Sequence, residues 1–547
     1  MWDHDCIGEN CPGPKPAHRF QSIIRIAIIN RITQIHCEML PNDLFKLVCL
    51  TIISGHCFGS HAAVLPIEVW ARTNSSPHPT ALVVDSQGSV IVTGYDYNEP
   101  FDEVVTIKHS SAGEPVWTNR FNGQGYYGLG IAANTNGDIF IAGGTSGGTP
   151  AREDFFTIKY SSLGLPLWTN YYGHTNLSSR ATALAVASNG DVIVTGISYG
   201  YGTSSDFATI RYSSSGVPLW VSRYNNLSNS LDEPAAVKVA GNGNIYVTGF
   251  SYLGGGVDVS DYATVAYSNT GVALWTNYYN GPADYQDWAT DLVIDENSNV
   301  FVTGFSRGNQ GDDYATLKYS NMGVALWTNR YNGPGNYTDY ASSIAVDSNG
   351  DVIVTGTSNS GMEYNSGDFA TVKYSNLGIP VWTNRLSGPT NIMDSAKGVT
   401  TDQLGNIYVI GYVDYGGDGG PADGLMVKYS AAGDTLWTKT FGATSAQPIL
   451  PTRKAIAIGP DGAVHVAIAN GNSVIAAKYS DLVKLEISLS GSTVEVRWPS
   501  GALGWRLEAK SALSSGNSWF TVTNSTFTNR IHLPTTNTAE VFRLGTP

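Results

Sequence analysis

After Cys57 this 547-residue chain contains no cysteine; all five (Cys6, Cys11, Cys37, Cys49 and Cys57) fall within residues 1–62. Residues 63–547 therefore offer no disulfide, no zinc–thiolate site and no cysteine nucleophile. Histidine is nearly as scarce there. His78, His109, His174, His465 and His532 are widely separated and never adopt HxH or HExxH spacing, which removes the usual metalloprotease signature. Positive charge is also short. The formal net charge is −14, and residues 1–62, with five Lys/Arg against five Asp/Glu, contribute nothing to it. A surface without basic patches cannot release counterions from a phosphate backbone, and an anionic membrane repels it. Neither nucleic acid nor a lipid surface is an expected partner. No stretch after residue 62 is apolar enough to span a bilayer, and none keeps helical periodicity over enough residues to form a long helix.

What the chain does have is a repeat. Trp70, Trp117, Trp168, Trp220, Trp275, Trp327, Trp382 and Trp437 recur at gaps of 47, 51, 52, 55, 52, 55 and 55 residues. A fixed period of this length means one supersecondary unit copied along the chain, each copy burying its apolar faces against the next. The unit is legible between Trp327 and Trp382. A polar stretch (WTNRYNGPGNYTDY) is followed by a short apolar run (ASSIAVD), a turn, a β-branched run (DVIVTG), a loop, then DFATVKY and the link YSNLGIPVW. Four short runs rich in Val, Ile, Thr and Tyr between turn residues predict four strands. DVIVTG is apolar on both alternating faces, so it must be covered on both sides. Four-stranded units at this period predict an all-β, eight-bladed β-propeller, with seven blades the alternative if one unit is too degenerate to pack. The ends complement each other: the 67–72 run has a Trp strand and no partners, whereas 455–479 has three strands and no Trp strand. The 67–72 strand is expected to complete the last blade and close the ring, removing both edges.

Gly precedes the Trp by four residues in seven of the eight copies, at Gly113, Gly164, Gly216, Gly271, Gly323, Gly378 and Gly433. This YSxxGxxxW pattern resembles the tryptophan-docking motif of eight-bladed quinoprotein dehydrogenases and of the related outer-membrane-assembly scaffold lipoprotein. The resemblance implies a tight glycine turn and a Trp packed between adjacent blades, so the eight tryptophans are read as structural. The quinoproteins' adjacent cysteine pair is absent, and no cofactor is expected. The DxATxKYSxxG pattern over about residues 65–480 resembles a bacterial seven-bladed-propeller repeat family of secreted and surface proteins. That family carries no single activity.

Three segments follow. Residues 1–62 read as a targeting segment: Leu44–Ile53 is a ten-residue apolar run, too short to cross a bilayer but suited to a secretory signal cut near Ala62 or Ala63. Met39 would make a conventional start, leaving 1–38 as a misassigned extension. Residues 63–481 form the propeller. Residues 482–547 read as a small β-sandwich-like domain anchored by Trp498, Trp505 and Trp519. It resembles the C-terminal β modules of large secreted proteins of environmental bacteria. A secreted or cell-surface location follows from these readings.

Loops that vary on a rigid frame are where binding usually resides. The turn after the innermost strand and the YSxxGxxxW link are short and uniform. The opposite face carries long loops that are rich in aromatics. The ligand-binding candidates are Tyr97, Tyr126, Tyr127, Tyr199, Tyr201, Tyr252, Tyr285, Trp288, Tyr337, Tyr340, Tyr364 and Tyr415; exposed aromatics among polar groups suit a protein or a polysaccharide ligand. The recurrent third-strand Asp (Asp102, Asp154, Asp206, Asp261, Asp313, Asp368, Asp423) is expected to be framework, contacting backbone or the following Lys. Turns such as Asp347–Asp351 contain oxygen ligands but lack the later bidentate carboxylate of a calcium loop. The chain reads as a non-catalytic binding scaffold. The alternative is an extracellular glycosidase or lyase, since paired carboxylates leave no recognisable spacing.

Overall fold

In the computed structural model the described residues are 66–481, apart from 75–77, 97–102, 123–125, 146–152, 174–176, 201, 227, 254–258, 362–365, 389–392, 415–421, 443–451, 453 and 471–472. Six short strands beyond residue 485 are described as well. Among the described residues there is no helix, and no helix long and apolar enough to cross a membrane.

Eight four-stranded antiparallel sheets account for residues 66–481. Blade 1 runs from His78 to Asn122, blade 2 from Tyr126 to Tyr172, blade 3 from Ser179 to Tyr224 and blade 4 from Asp232 to Tyr279. Blade 5 spans Asp287 to Tyr331, blade 6 Asp339 to Leu386 and blade 7 Ser395 to Phe441. Blade 8 is composite: Ile456–Ile458, Val464–Asn470 and Ser473–Asp481 are joined by Pro66–Asn74, which pairs antiparallel with Ser473–Asp481. The ring therefore has eight blades, not seven, and the orphan N-terminal strand closes it. The first strands of successive blades lie against one another, forming the inner wall. The fourth strands, with alternating exposure, form the rim.

The core lies between blades. Tyr246 and Tyr262 of blade 4 are buried against Leu292, Val300, Val302 and Leu317 of blade 5, and the other clusters repeat this arrangement. This is why the second strands are apolar on both faces: the whole of Val352–Asn359 is buried. Where threonines face each other inside a sheet they bond in pairs, as with Thr303 and Thr316 at 3.1 Å or Thr355 and Thr371 at 2.9 Å, so no hydroxyl of these pairs is buried without a partner.

Each Trp locks its blade to the next. The indole of Trp275 lies on Gly323, which turns with φ +81° where a Cβ would come within 2.7 Å of the ring. The same contact joins Trp70 to Gly113, Trp117 to Gly164 and Trp382 to Gly433. Its N–H donates to the carbonyl two residues before that glycine, as from Trp117 to Ser162 at 3.2 Å and from Trp327 to Asn376 at 3.1 Å. A third-strand cation paired in register with the Trp donates to the same oxygen: Lys108 to Ser162 at 3.1 Å, Lys318 to Asn376 at 3.0 Å. Gly323→Ala is both strained and overpacked, and should cost about 2 kcal/mol of unfolding free energy, read from the midpoint of urea denaturation.

The tail is described by itself. Glu486–Ser490, Thr493–Arg497 and Arg530–Pro534 form one antiparallel three-stranded sheet; Phe520–Thr521, Arg506–Ser511 and Glu540–Gly545 form another. Residues 1–62 and the tail tryptophans Trp498, Trp505 and Trp519 lie outside the described residues.

Candidate functional site

The strand order places the turn between first and second strands, and that between third and fourth, on one face of the ring. These are tight turns closed by left-handed glycines such as Gly350 and Gly378. Their aspartates are occupied. Asp347 Oδ1 accepts from the amides of Asn349 and Asp351, and its Oδ2 is 2.8 Å from the Lys373 ammonium. Lys108–Asp85 and Lys159–Asp138 repeat the pair at 2.9 and 2.8 Å. The third-strand Lys therefore serves the turn aspartate.

The third-strand Asp has a different partner from the Lys expected. It binds the Arg three residues after the Trp: Asp206–Arg223 at 2.5 Å, Asp313–Arg330 at 2.7 Å and Asp368–Arg385 at 2.7 Å. Each of these arginines also reaches the penultimate Ser of the second strand and a Tyr from the preceding blade. Arg330 donates to Ser306 and to Tyr279 Oη at 3.1 Å; Arg385 donates to Ser358 and to Tyr331 Oη at 3.0 Å. These clusters lie at the long-loop face and hold the blade tops together. The arginines and serines were missed because their positions repeat, three residues after the Trp and two after the second-strand glycine, while the residue type there changes between copies.

In blades 4 to 6 the loop that enters the first strand is stapled by a buried carboxylate. Asp287 Oδ2 accepts from the Gly281 amide at 2.5 Å and its Oδ1 from Arg307 at 3.1 Å; Asp339 does the same with Gly333 at 2.6 Å and Asn359 at 3.1 Å. Burial pushes the Asp232 and Asp339 carboxyls up to about 6, against the pull of these donors. Such shifts draw attention to catalysis, yet the same stapling recurs from blade to blade. One φ-positive residue shapes each loop, at Asn229, Asp284 and Asn336.

Beside these staples the second residue of the first strand and the residue after the second-strand glycine bring aromatics together across blades 4 to 6. Phe250 stacks on Trp288 with centroids 4.5 Å apart and rings 12° from parallel. Trp288 meets Phe305 at 5.4 Å, and Tyr340 meets Phe305 edge-on at 4.9 Å. Tyr252 extends the ladder at 5.9 Å from Phe250. Trp288 is held by its own indole N–H, which donates to Ser260 Oγ at 2.8 Å. Around this arc Tyr340 is 39 % exposed, Tyr285 41 % and Tyr337 37 %. Tyr285 also faces the Arg307 guanidinium, 6.0 Å from its centroid.

Of the predicted candidates, Tyr252, Trp288 and Tyr340 thus join one ladder, with Tyr285 and Tyr337 on the loops of the same blades. Tyr199 is exposed on blade 3, apart from the arc. Tyr126 and Tyr127 begin the first strand of blade 2. Tyr97, Tyr201, Tyr364 and Tyr415 lie outside the described residues. Phe250 and Phe305 were overlooked; the phenylalanine after the glycine of the V-T-G strand was the available signal.

Comparison with known proteins agrees with the repeat. Residues 381–412 match the model of a beta-propeller repeat. The chain is similar to an uncharacterized WD repeat-containing protein of Acanthamoeba polyphaga mimivirus, 21% identical over 540 residues, covering 78% of this chain and 37% of that protein. The chain thus spans little more than a third of that relative's length. Among solved structures it is similar to Sqt1 from Chaetomium thermophilum, at TM-score 0.49 and 8% identity over 76% of this chain and 100% of that one. The same protein bound to the N-terminus of the ribosomal protein L10 gives TM-score 0.47 and 9% identity over 73% and 96%.

Proposed function

We propose that this propeller is a binding scaffold that engages a protein partner through the long-loop face of blades 4 to 6, at a cell surface or after secretion. The observation that carries the reading is the aromatic arc Tyr252–Phe250–Trp288–Phe305–Tyr340, bordered by the exposed Tyr285 and Tyr337. Rigid aromatics with polar edges give large contact area at low entropic cost, which is why Tyr and Trp dominate interface hot spots. The flat face of Trp288 is already covered by Phe250, so the arc offers edges and hydroxyls more than an open platform for a sugar ring. That favours protein over polysaccharide.

The test leaves the ladder's buried members intact. Tyr285→Ser, Tyr337→Ser and Tyr340→Ser together should lower affinity for partners retained by the immobilised wild-type chain about 30-fold or more, the effect of losing one hot spot of about 2 kcal/mol. Leu404→Ser, on the opposite face, should leave affinity unchanged. Equal retention by the triple variant refutes this face as the binding surface. Retention and cleavage of a sugar polymer would replace the scaffold by an enzyme. Secretion is tested separately, by the N-terminal sequence of exported material, expected to begin near Ala62 or Ala63.

A further inference from the structure

Four blades carry an arginine three residues after the Trp: Arg120, Arg223, Arg330 and Arg385. In each, its guanidinium neutralises the acid that begins the third strand; in blade 1 Arg120 meets Glu103 and Asp96, both at 2.9 Å. Blade 4 breaks the rule. Its residue at this position is Tyr278, whose hydroxyl turns to Tyr224 Oη at 2.6 Å. Tyr224 is the counterpart of Tyr279 and Tyr331, which receive Arg330 and Arg385 in the following blades.

Asp261 is left behind. It pairs in register with Ser251, as Asp313 does with Ser306 and Asp368 with Ser358. It is only 5 % exposed, and no hydrogen-bond donor or cation among the described residues reaches its carboxylate. Its charged neighbours are Asp287 and Asp284, and burial together with these like charges pushes its carboxyl up to about 6. An isolated buried carboxylate is costly. The three other blades lacking the arginine do not share this arrangement: blade 8 has Ser473 in place of the acid, and Asp154 and Asp423 of blades 2 and 7 both have partners.

We infer that the blade 4 cluster of Asp261, Ser251 and Tyr224 is an arginine slot emptied of its own arginine, which takes a guanidinium from a partner protein. The chain itself shows the occupied form three times over, at Arg223, Arg330 and Arg385, with the carboxylate, the serine and the preceding tyrosine as ligands. A planar, fully charged donor that forks across carboxylate and hydroxyl matches this set better than an ammonium. The location adds to the case: Ser251 lies between Phe250 and Tyr252, and Asp284 and Asp287 bracket Tyr285 and precede Trp288. The slot therefore opens beside the aromatic arc, so that an arginine anchor and apolar contacts could be made by one segment. The inference rests on the long-loop face as the binding surface, and it narrows the partner to one presenting an exposed arginine there.

Small probes test the slot without any partner. N-acetyl-arginine amide at millimolar concentration should raise the melting temperature of the wild-type chain. The dissociation constant from the concentration dependence should weaken about tenfold or more in Asp261→Asn, which removes the charge-assisted fork. Tyr278→Arg should refill the slot from within: its melting temperature should rise without ligand, and the probe should no longer act on it. N-acetyl-lysine amide should bind more weakly, and calcium should have no effect. If the arginine probe shifts wild type and Asp261→Asn equally, or shifts neither, the slot is refuted. A calcium response abolished in Asp261→Asn would overturn it in favour of a metal site. Because the readout is a small cation, failure here leaves the aromatic-face test standing, and failure of that test leaves the slot measurable.

Discussion

Asp481→Ala is expected to destabilise the propeller by about 3 kcal/mol, a large effect for a half-exposed residue at the end of a strand. The reason is topological. Between consecutive blades the Trp and its cross-strand cation both donate to a turn carbonyl of the next blade, as Trp168 and Lys159 do to Ser214 at 3.2 and 3.0 Å. Between blades 7 and 8 that carbonyl does not exist, because the third and fourth strands of blade 8 come from opposite ends of the propeller sequence. Asp481 replaces it with a side chain. Its Oδ1 accepts the Trp437 indole N–H at 2.9 Å, and its Oδ2 pairs with the Lys428 ammonium. Lys428 is 1 % exposed, and with Asp481 gone the one carboxylate left near it among the described residues is Asp402, 3.8 Å away, beside the Tyr408 ring 4.7 Å from its ammonium. Removing one partner of a buried ion pair costs more than the pair contributes, because the other charge stays desolvated. Asp481→Asn keeps an oxygen for the indole and should lose less. Urea denaturation of the three proteins gives the ranking. Equal midpoints for wild type and Asp481→Ala would mean that the seam is held by strand pairing alone.

His465→Phe should make the ring more resistant to acid, its advantage over wild type growing by about 3 kcal/mol between pH 7 and pH 4. In blades 2, 4, 5 and 7 the equivalent position holds Phe140, Tyr246, Phe301 and Tyr408, each against the Trp of its own blade at 5.8–6.1 Å. Blade 8 has His465 there, 6.2 Å from Trp70, with His109 of blade 1 beyond the same indole at 5.9 Å. His465 is buried, and neither ring nitrogen has a hydrogen-bond partner. Burial lowers its pKa to about 4; the Lys478 charge adds to this and Asp461 opposes it. The folded value therefore lies below the unfolded value of about 6.5. The stability tied to the neutral ring is present above 6.5 and is lost as pH falls through about 4. Asp232, Asp261 and Asp339 act with the opposite sign. Their folded values of about 6 exceed the unfolded one, so their contribution is complete below about 4 and lost as pH rises through 6. The wild-type profile alone blends the two, whereas the difference between variant and wild type isolates the histidine. Denaturation at pH 7, 5.5 and 4 measures it. A constant gap would show that the ring titrates normally in the folded chain.

Much of this architecture could be read before any coordinates. The tryptophan period, the two-sided apolar V-I-V strands and the unmatched 67–72 run reduce to elementary rules. A strand buried on both faces must be apolar on both, and a sheet edge must find a partner. Those rules act within a few residues or between copies of one unit, so they survive in linear order. The structural part of the tryptophans was legible for the same reason, since glycine is needed wherever an indole lies against a left-handed turn.

Which exceptions matter was decided by tertiary structure alone. Nothing in the order of residues says that Asp481 stands in for a missing carbonyl, because that requires knowing how Pro66–Asn74 pairs with Ser473–Asp481. Tyr278 in place of arginine reads as an ordinary variation until the neighbouring blades show what Asp261 is missing. Phe250 and Trp288 lie far apart in sequence and in different blades, and only the lateral packing of blade on blade stacks them. The repeat thus determined the ring. The sites arise where the copies differ, since packing turns a single substitution into an unpaired charge, a buried imidazole or an exposed aromatic edge.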